Sequence, residues 1–284
     1  MVSSHIDRLY SMKIWPTDPY SESGARKYWD ALKLFNLLLG HEWLRSLLDK
    51  KLLRILDICA GAGIGGVALS RVLMNRGVNV DLTLVDLRED DLRIGAKWGR
   101  EVLGRDVRYV RMNSMDVYRM DEKFDIVLMY GSSAPHFDPW SIVRLYASVC
   151  GCLVDGGLFL MHECDRRYSI FYLAGYKRVL SEKVDEEGVI ISVHSGYDFR
   201  RGTFRRTYID VTNPQNRVVV DAYFWGLAEL MALAWMFFAD VDFLEVRKGA
   251  GIIICRDPRH KITIDDMRSE PRVLCEKDRG DIIW

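Results

Sequence analysis

The sequence predicts an α/β protein: a doubly wound, mostly parallel seven-stranded sheet with a helical N-terminal cap and an antiparallel β insertion. Three observations carry this. From residue 53, short apolar runs alternate with longer amphipathic ones, the rhythm of strand–helix–strand crossovers. The first run flows into a Gly-rich turn at 59–66. After about residue 182 the rhythm gives way to alternating β-branched and aromatic runs separated by turn residues.

Residues 1–50 form the expected cap, punctuated by Tyr10, Trp15, Tyr20, Tyr28, Trp29, Phe35 and Trp43 and broken early by Pro16 and Pro19. Strands follow at 53–58, 80–86, 107–112, 124–130 and 157–162, with helices at 64–76, 90–103 and 140–153 between them. Right-handed crossovers put helices on both faces. The insertion, at about 183–224, has runs at 189–194, 203–212 and 217–224, and the turn signals are 198–202 and 213–216. A helix at 226–239 and strands at 241–247 and 251–256 complete the sheet, and a charged, loosely packed tail is expected from 257 to 284.

Composition excludes some functions. The chain has 40 Lys plus Arg against 40 Asp plus Glu, so no basic excess marks it as a polyanion binder. No basic stretch with an apolar run opens the chain, so no secretory signal is read and a cytoplasmic location is expected. Residues 222–239 are mostly apolar but carry Glu229 and are flanked by Asp221 and Asp240. A buried helix rather than a membrane span is expected there. Six cysteines without CxxC spacing suggest reduced, buried thiols and no metal site. A single Gln, at 215, fits a thermophilic composition.

The Gly-rich turn carries the chemistry. Gly61, Gly63 and Gly66 satisfy GxGxxG, so a nicotinamide dinucleotide site is one reading. Asp57 argues against it: an acid at the end of the strand, four residues before Gly61, repels a pyrophosphate and suits an ammonium group. Asp86, ending the next strand, is placed to accept from ribose hydroxyls in either reading.

With these residues the chain resembles the class I S-adenosylmethionine-dependent methyltransferases, which have a Rossmann-like fold. The likeness covers about 50–165 by motif and extends to about 256 by element order. It rests on Asp57 with Gly61 and Gly63, then Asp86, then 113–116, then 124–131, and a Gly-Gly turn at 156–157. The resemblance implies S-adenosyl-L-methionine as cofactor, held by Asp57, Ala60, Gly61, Gly63, Asp86, Leu87, Asn113, Ser114, Met115, Asp116, Tyr130 and Gly131. The chain departs from the family where Cys59 replaces its usual first glycine and Asn113 stands where Asp is commonest.

The segment after the fourth strand, 130–137, has neither the Asn-Pro-Pro-Tyr of amino-directed nucleic-acid enzymes nor a Pro-Cys nucleophile. It is more similar to glycine N-methyltransferase-like, small-molecule enzymes, in which an antiparallel insertion also helps close the substrate pocket. Methyl transfer needs alignment and exclusion of water more than a covalent nucleophile. A histidine is the natural base. His136, after the fourth strand, is the first candidate catalytic residue. His162, which is followed by Glu163, and Tyr130 come next, with Tyr130 equally readable as an aromatic plug. His194 is read as packing or surface. The N-terminal aromatics are a packed cap or a lid, and 200–206 holds the dense basic run.

The expectation is therefore methyl transfer to an N or O atom of a small molecule, with no membrane or nucleic-acid partner. An RNA or protein methyltransferase, using the 200–206 arginines, is the first alternative, and a non-enzymatic interaction protein on the same fold the second. Oligomeric state stays open, a homodimer included.

Overall fold

The computed structural model describes residues 2–15, 18–186 and 188–275. Five strands form the parallel part of the main sheet: β1 (Leu52–Ile58), β2 (Asn79–Asp86), β3 (Arg108–Arg111), β4 (Phe124–Met129) and β5 (Leu153–Cys164). Helices α4 (Ile64–Met74), α5 (Glu89–Leu103) and α6 (Pro139–Cys152) alternate with them. Two antiparallel strands, β10 (Phe238–Arg247) and β11 (Ala250–Pro258), close the far edge, giving the order β10-β11-β5-β4-β1-β2-β3. The chain winds outward from β1 to β3 and then returns to β4 on the other side. The crevice beyond the β1 and β4 ends is thus the switch point where such sheets bind ligands.

Local sequence explains the layers. β4 is apolar except for Asp125 and is buried throughout, as a strand covered on both faces must be. α5 turns Leu92, Trp98 and Leu103 inward, carries three acids in its first turn and ends at Gly104 in the left-handed conformation. α2 (Glu22–Leu38) is capped by Ser21, whose Oγ accepts from the Gly24 amide at 3.0 Å. It buries Ala31, Leu34, Phe35 and Leu38 against the buried helix α4. A second core layer lies under α6 and α7 (Leu227–Phe237), built on Tyr146, Phe159, Trp225 and Phe237.

Several boundaries differ from the sequence reading. The insertion is a four-stranded antiparallel sheet: β6 (Val179–Asp185), β7 (Gly188–Asp198), β8 (Thr203–Asp210) and β9 (Arg217–Ala222). β6 is mostly exposed and polar, so it lacks the alternation that would mark it. A π-helical segment, Arg167–Leu173, links β5 to this sheet. β5 starts at Leu153, and the Gly156-Gly157 pair falls inside it as a register irregularity against β4. α7 stops at Phe237 because Phe238 and Ala239 already belong to β10. It exposes Trp235 and Met236 while burying one face. No helix among the described residues is long and apolar enough to cross a membrane.

The cap is split. α2 and α3 (Glu42–Arg45) sit on the main sheet, whereas α1 (Val2–Ser11) packs Leu9 and the following Met12 onto Ile190, Tyr208 and Val218 of the insertion. Past β11, Ile262 and Met267 pack on the second core layer. Of the expected charged tail, residues 276–284 lie outside the described residues, as does Pro16.

Candidate functional site

The loop after β1 brings two carboxylates together. Cys59, Gly61 and Gly63 all take positive φ (53°, 54° and 72°), a turn that glycine adopts freely and Cys59 adopts at a cost. Its thiol lies 3.2 Å from the Ser114 hydroxyl. The Ala60 amide donates to Val85 O at 3.0 Å, and the Gly61 amide donates to Asp86 Oδ2 at 2.7 Å. The Gly66 amide donates to Asp57 Oδ2 at 2.8 Å, while Asp57 Oδ1 is buried with no partner. A Cβ on Gly66 would stand 2.8 Å from that carboxylate, so the approach of α4 to β1 requires glycine. Burial pushes the Asp57 carboxyl up to about 8, and the neighbouring Asp86 adds to this.

Asp86 Oδ1 accepts from the Arg88 amide at 3.0 Å and from Arg88 Nε at 3.2 Å. The Arg88 guanidinium also pairs with Asp91, lies over Gly61 and stacks on the Tyr10 ring of α1 at 3.9 Å. Beside it is a cavity of about 120 Å³, walled by Asp86, Leu87, Asn113, Ser114 and Met115 on one side and Tyr10 and His136 on the other. The Asn113 side chain accepts from the Met115 amide at 3.0 Å, which fixes that wall. Asp116 is turned to Arg119, 3.7 Å away, and does not line the cavity.

Tyr10 and His136 are a partition. Their Oη and Nε2 share a hydrogen bond of 3.2 Å, and both line a second cavity of about 370 Å³ under the insertion, with Trp15, Tyr208, Phe224 and Arg166. The His136 ring is solvent-accessible, but crowding by protein atoms, then Arg166 and Arg88, holds its pKa down to about 4. Burial pushes the Tyr10 phenol up to about 12. Gly131 (φ 102°) and Ser132 (φ 62°) form the floor where β4 ends.

Tyr130 and His162 stack at 4.8 Å and face a third, wider cavity of about 690 Å³ between α2 and the β5–β11 edge. Burial, then Lys27 and Arg247, holds His162 down to about 4, and its Nδ1 has no partner. Gly131 lines both this cavity and the one under the insertion. His136 and His162 therefore stand in different cavities.

Sequence reasoning missed Lys27, Arg88 and Arg166. Lys27 Nζ reaches within 3.6 Å of where a Gly131 Cβ would be and lines both larger cavities. Arg166 donates to Ser132 O at 3.0 Å and leaves a buried Nε unpartnered. A basic residue on a cap helix or after a strand gives no signal that separates it from a surface charge. His194 bonds the Tyr176 hydroxyl at 2.7 Å, a packing role. The 200–206 run is largely spent internally. Arg201 pairs with Asp138 at 2.6 Å, Arg205 pairs with Asp221 at 2.9 Å, and Arg206 is buried on Ser192.

Comparison with known proteins agrees with this geometry. Residues 55–157 match the family model described as a methyltransferase domain. A search of curated proteins matched nothing. Among solved structures, the PH0226 protein from Pyrococcus horikoshii OT3 superposes with a TM-score of 0.62 at 20% identity, over 88% of this chain and 98% of that one. An S-adenosylmethionine-dependent methyltransferase from Clostridium acetobutylicum gives 0.55 at 12% identity, over 80% and 90%. CalS10, an amino pentose methyltransferase from Micromonospora echinaspora solved with S-adenosylmethionine bound, gives 0.52 at 18% identity, over 81% and 91%. At these identities the superpositions speak for the fold, and the domain match speaks for residues 55–157. Residues 55–157 thus match a methyltransferase domain, set in a seven-stranded, mostly parallel sheet of Rossmann-like order.

Proposed function

We propose that the protein transfers a methyl group to an N or O atom of a small-molecule acceptor held in the cavity under the insertion. The observation that carries this reading is the Tyr10–His136 partition, which separates a cavity beside Asp86 from a cavity of about 370 Å³ with aromatic walls. That volume suits a small ligand. The likeness to CalS10, described as an amino pentose methyltransferase, points the same way. The internal pairing of Arg201, Arg205 and Arg206 leaves little of the basic run for RNA.

The residues fit the cofactor. The unpartnered, buried Asp57 oxygen suits an ammonium, Lys27 suits a carboxylate, Asp86 suits ribose hydroxyls, and Leu87, Asn113, Ser114 and Met115 form the wall for adenine. Bound S-adenosylmethionine supplies an electrophilic methyl group. The protein then has to orient the acceptor's lone pair at the Gly131–Ser132 floor and keep water out. Neutral His136 can accept a hydrogen bond from an acceptor N–H or O–H.

Calorimetric titration with S-adenosylmethionine tests the reading. Binding is expected, and Asp86→Ala should weaken it at least about tenfold, since hydrogen bonds to a charged group contribute about 1.5–3 kcal/mol. No binding, or binding indifferent to Asp86→Ala, would overturn the reading.

A further inference from the structure

We propose that the acceptor is an aromatic hydroxyl compound, bound in the 370 Å³ cavity as its phenolate; this rests on the methyltransferase reading above. The walls supply the first argument. Tyr10, Trp15, Tyr208 and Phe224 surround the space, with Tyr10 and Trp15 at 5.7 Å and Trp15 edge-on to Tyr208 at 6.3 Å. Such faces select a flat ring.

Aromatic walls alone would also suit a cation. Arg166 decides against one. It lines the cavity, is tied to the floor at Ser132 O and keeps a buried Nε without a partner. Glu163 pairs with Arg166 at 3.4 Å from outside the cavity lining and also accepts from the Ala134 and Cys164 amides at 3.0 Å each. No Asp or Glu lines this cavity among the described residues. An ammonium acceptor would meet Arg166 and Lys27 with no counter-charge in the wall, whereas a phenolate would be met by the Arg166 guanidinium and the Ser132–Ser133 floor.

The charged groups around the cavity are consistent with this. Lys27 faces Asp57 and Arg88, Arg166 faces Glu163, and His136 faces Arg166, Arg88 and Asp86. The positive field of Arg166 and Arg88 reaches His136 and helps keep its ring neutral. Burial pushes the wall phenols Tyr10 and Tyr208 up to about 12, against the lowering effect of Arg88 on the first and Arg166 on the second. A ligand phenol differs in placing its oxygen directly on the Arg166 guanidinium, and that contact favours its ionisation, with the proton going to water. A lone pair of the phenolate oxygen then forms the bond to the methyl carbon, and the electron pair of the broken carbon–sulfur bond stays on sulfur.

The test uses the full chain loaded with S-adenosylhomocysteine, with 4-nitrophenol as an absorbing probe and 2-naphthol against 2-naphthylmethylamine as a charge-discriminating pair. Bound 4-nitrophenol should ionise at least about one pH unit lower than in water, a tenfold shift. 2-Naphthol should bind at least about tenfold more tightly than the amine, a difference of about 1.4 kcal/mol. Arg166→Met should abolish both effects, and Arg166→Lys should keep most of the ionisation shift. Where Arg166→Met does not fold, the wild-type spectrum decides. Ionisation at or above the pH seen in water, an amine that binds as well as the naphthol, or a failure of both phenols to bind would each overturn the inference. S-Adenosylhomocysteine that does not bind would instead sink the methyltransferase reading beneath it.

Discussion

The guanidinium carbon of Arg88 lies 3.9 Å from the centroid of the Tyr10 ring, and this stack joins the acid ending β2 to the histidine after β4. Asp86 is bonded to Arg88, Arg88 is covered by Tyr10, and Tyr10 is bonded to His136. A helix at the extreme N-terminus thus touches both cavities at once.

Arg88 competes for Asp86. A carboxylate has about four acceptor positions; the Gly61 amide takes one, and Arg88 takes two through its amide and Nε. A ribose with two hydroxyls must displace the Arg88 side chain. Arg88→Met is therefore expected to tighten S-adenosylhomocysteine binding a few-fold, on the order of 0.5–1.5 kcal/mol, by calorimetry. Weaker binding in the variant would show that the guanidinium helps to hold the cofactor.

Asp57 should lose a proton when the cofactor's ammonium arrives. With its carboxyl raised to about 8, the group is about nine-tenths protonated at pH 7, and a cation beside it favours the carboxylate. Titrations in two buffers of different ionisation heat should show close to one proton released, and Asp57→Asn should remove that release. In the free protein the raised carboxyl contributes stability that is complete below its ordinary value of 3.8 and is lost as pH rises through about 8. Asp57→Asn should therefore gain on the wild type in alkaline denaturation.

Turnover and cofactor affinity should separate at His136. Its ring stands in the partition between the cavities and accepts or donates one bond, to Tyr10. His136→Ala should lower kcat about tenfold or more, in the range of one general acid–base or positioning group, with a smaller change in cofactor Kd. Equal losses in both would mean that the ring only holds α1 in place.

His162 sets an acid limit on stability. A histidine held down to about 4 from its ordinary 6.5 contributes stability present above 6.5 and lost as pH falls toward about 4. His162→Phe keeps the ring stacked on Tyr130 and removes the titration. Its urea midpoint should fall less between pH 7 and pH 5 than that of the wild type. Parallel curves would show that His162 charges freely in the folded protein.

The sheet was legible because its information is local. Apolar runs covered on both faces mark β1, β2 and β4, and the acids Asp57 and Asp86 declare themselves by ending such runs before a turn. The fold, and the meeting of Asp57 and Asp86 at the Gly-rich turn, follow from these short stretches. β6 escaped because an exposed edge strand has no apolar alternation to show.

The contacts made across long separations come from packing alone. Tyr10 and His136 are 126 residues apart and meet because α1 buries Leu9 against Ile190, Tyr208 and Val218 of the insertion, a face that exists only once the insertion has folded. The sequence determined a doubly wound sheet with two additions. The docking of α1 on one of them, rather than on the sheet, decided that Tyr10 divides the site and that Arg166 looks into an aromatic cavity. A charge or a ring acquires such a role only from what is packed around it.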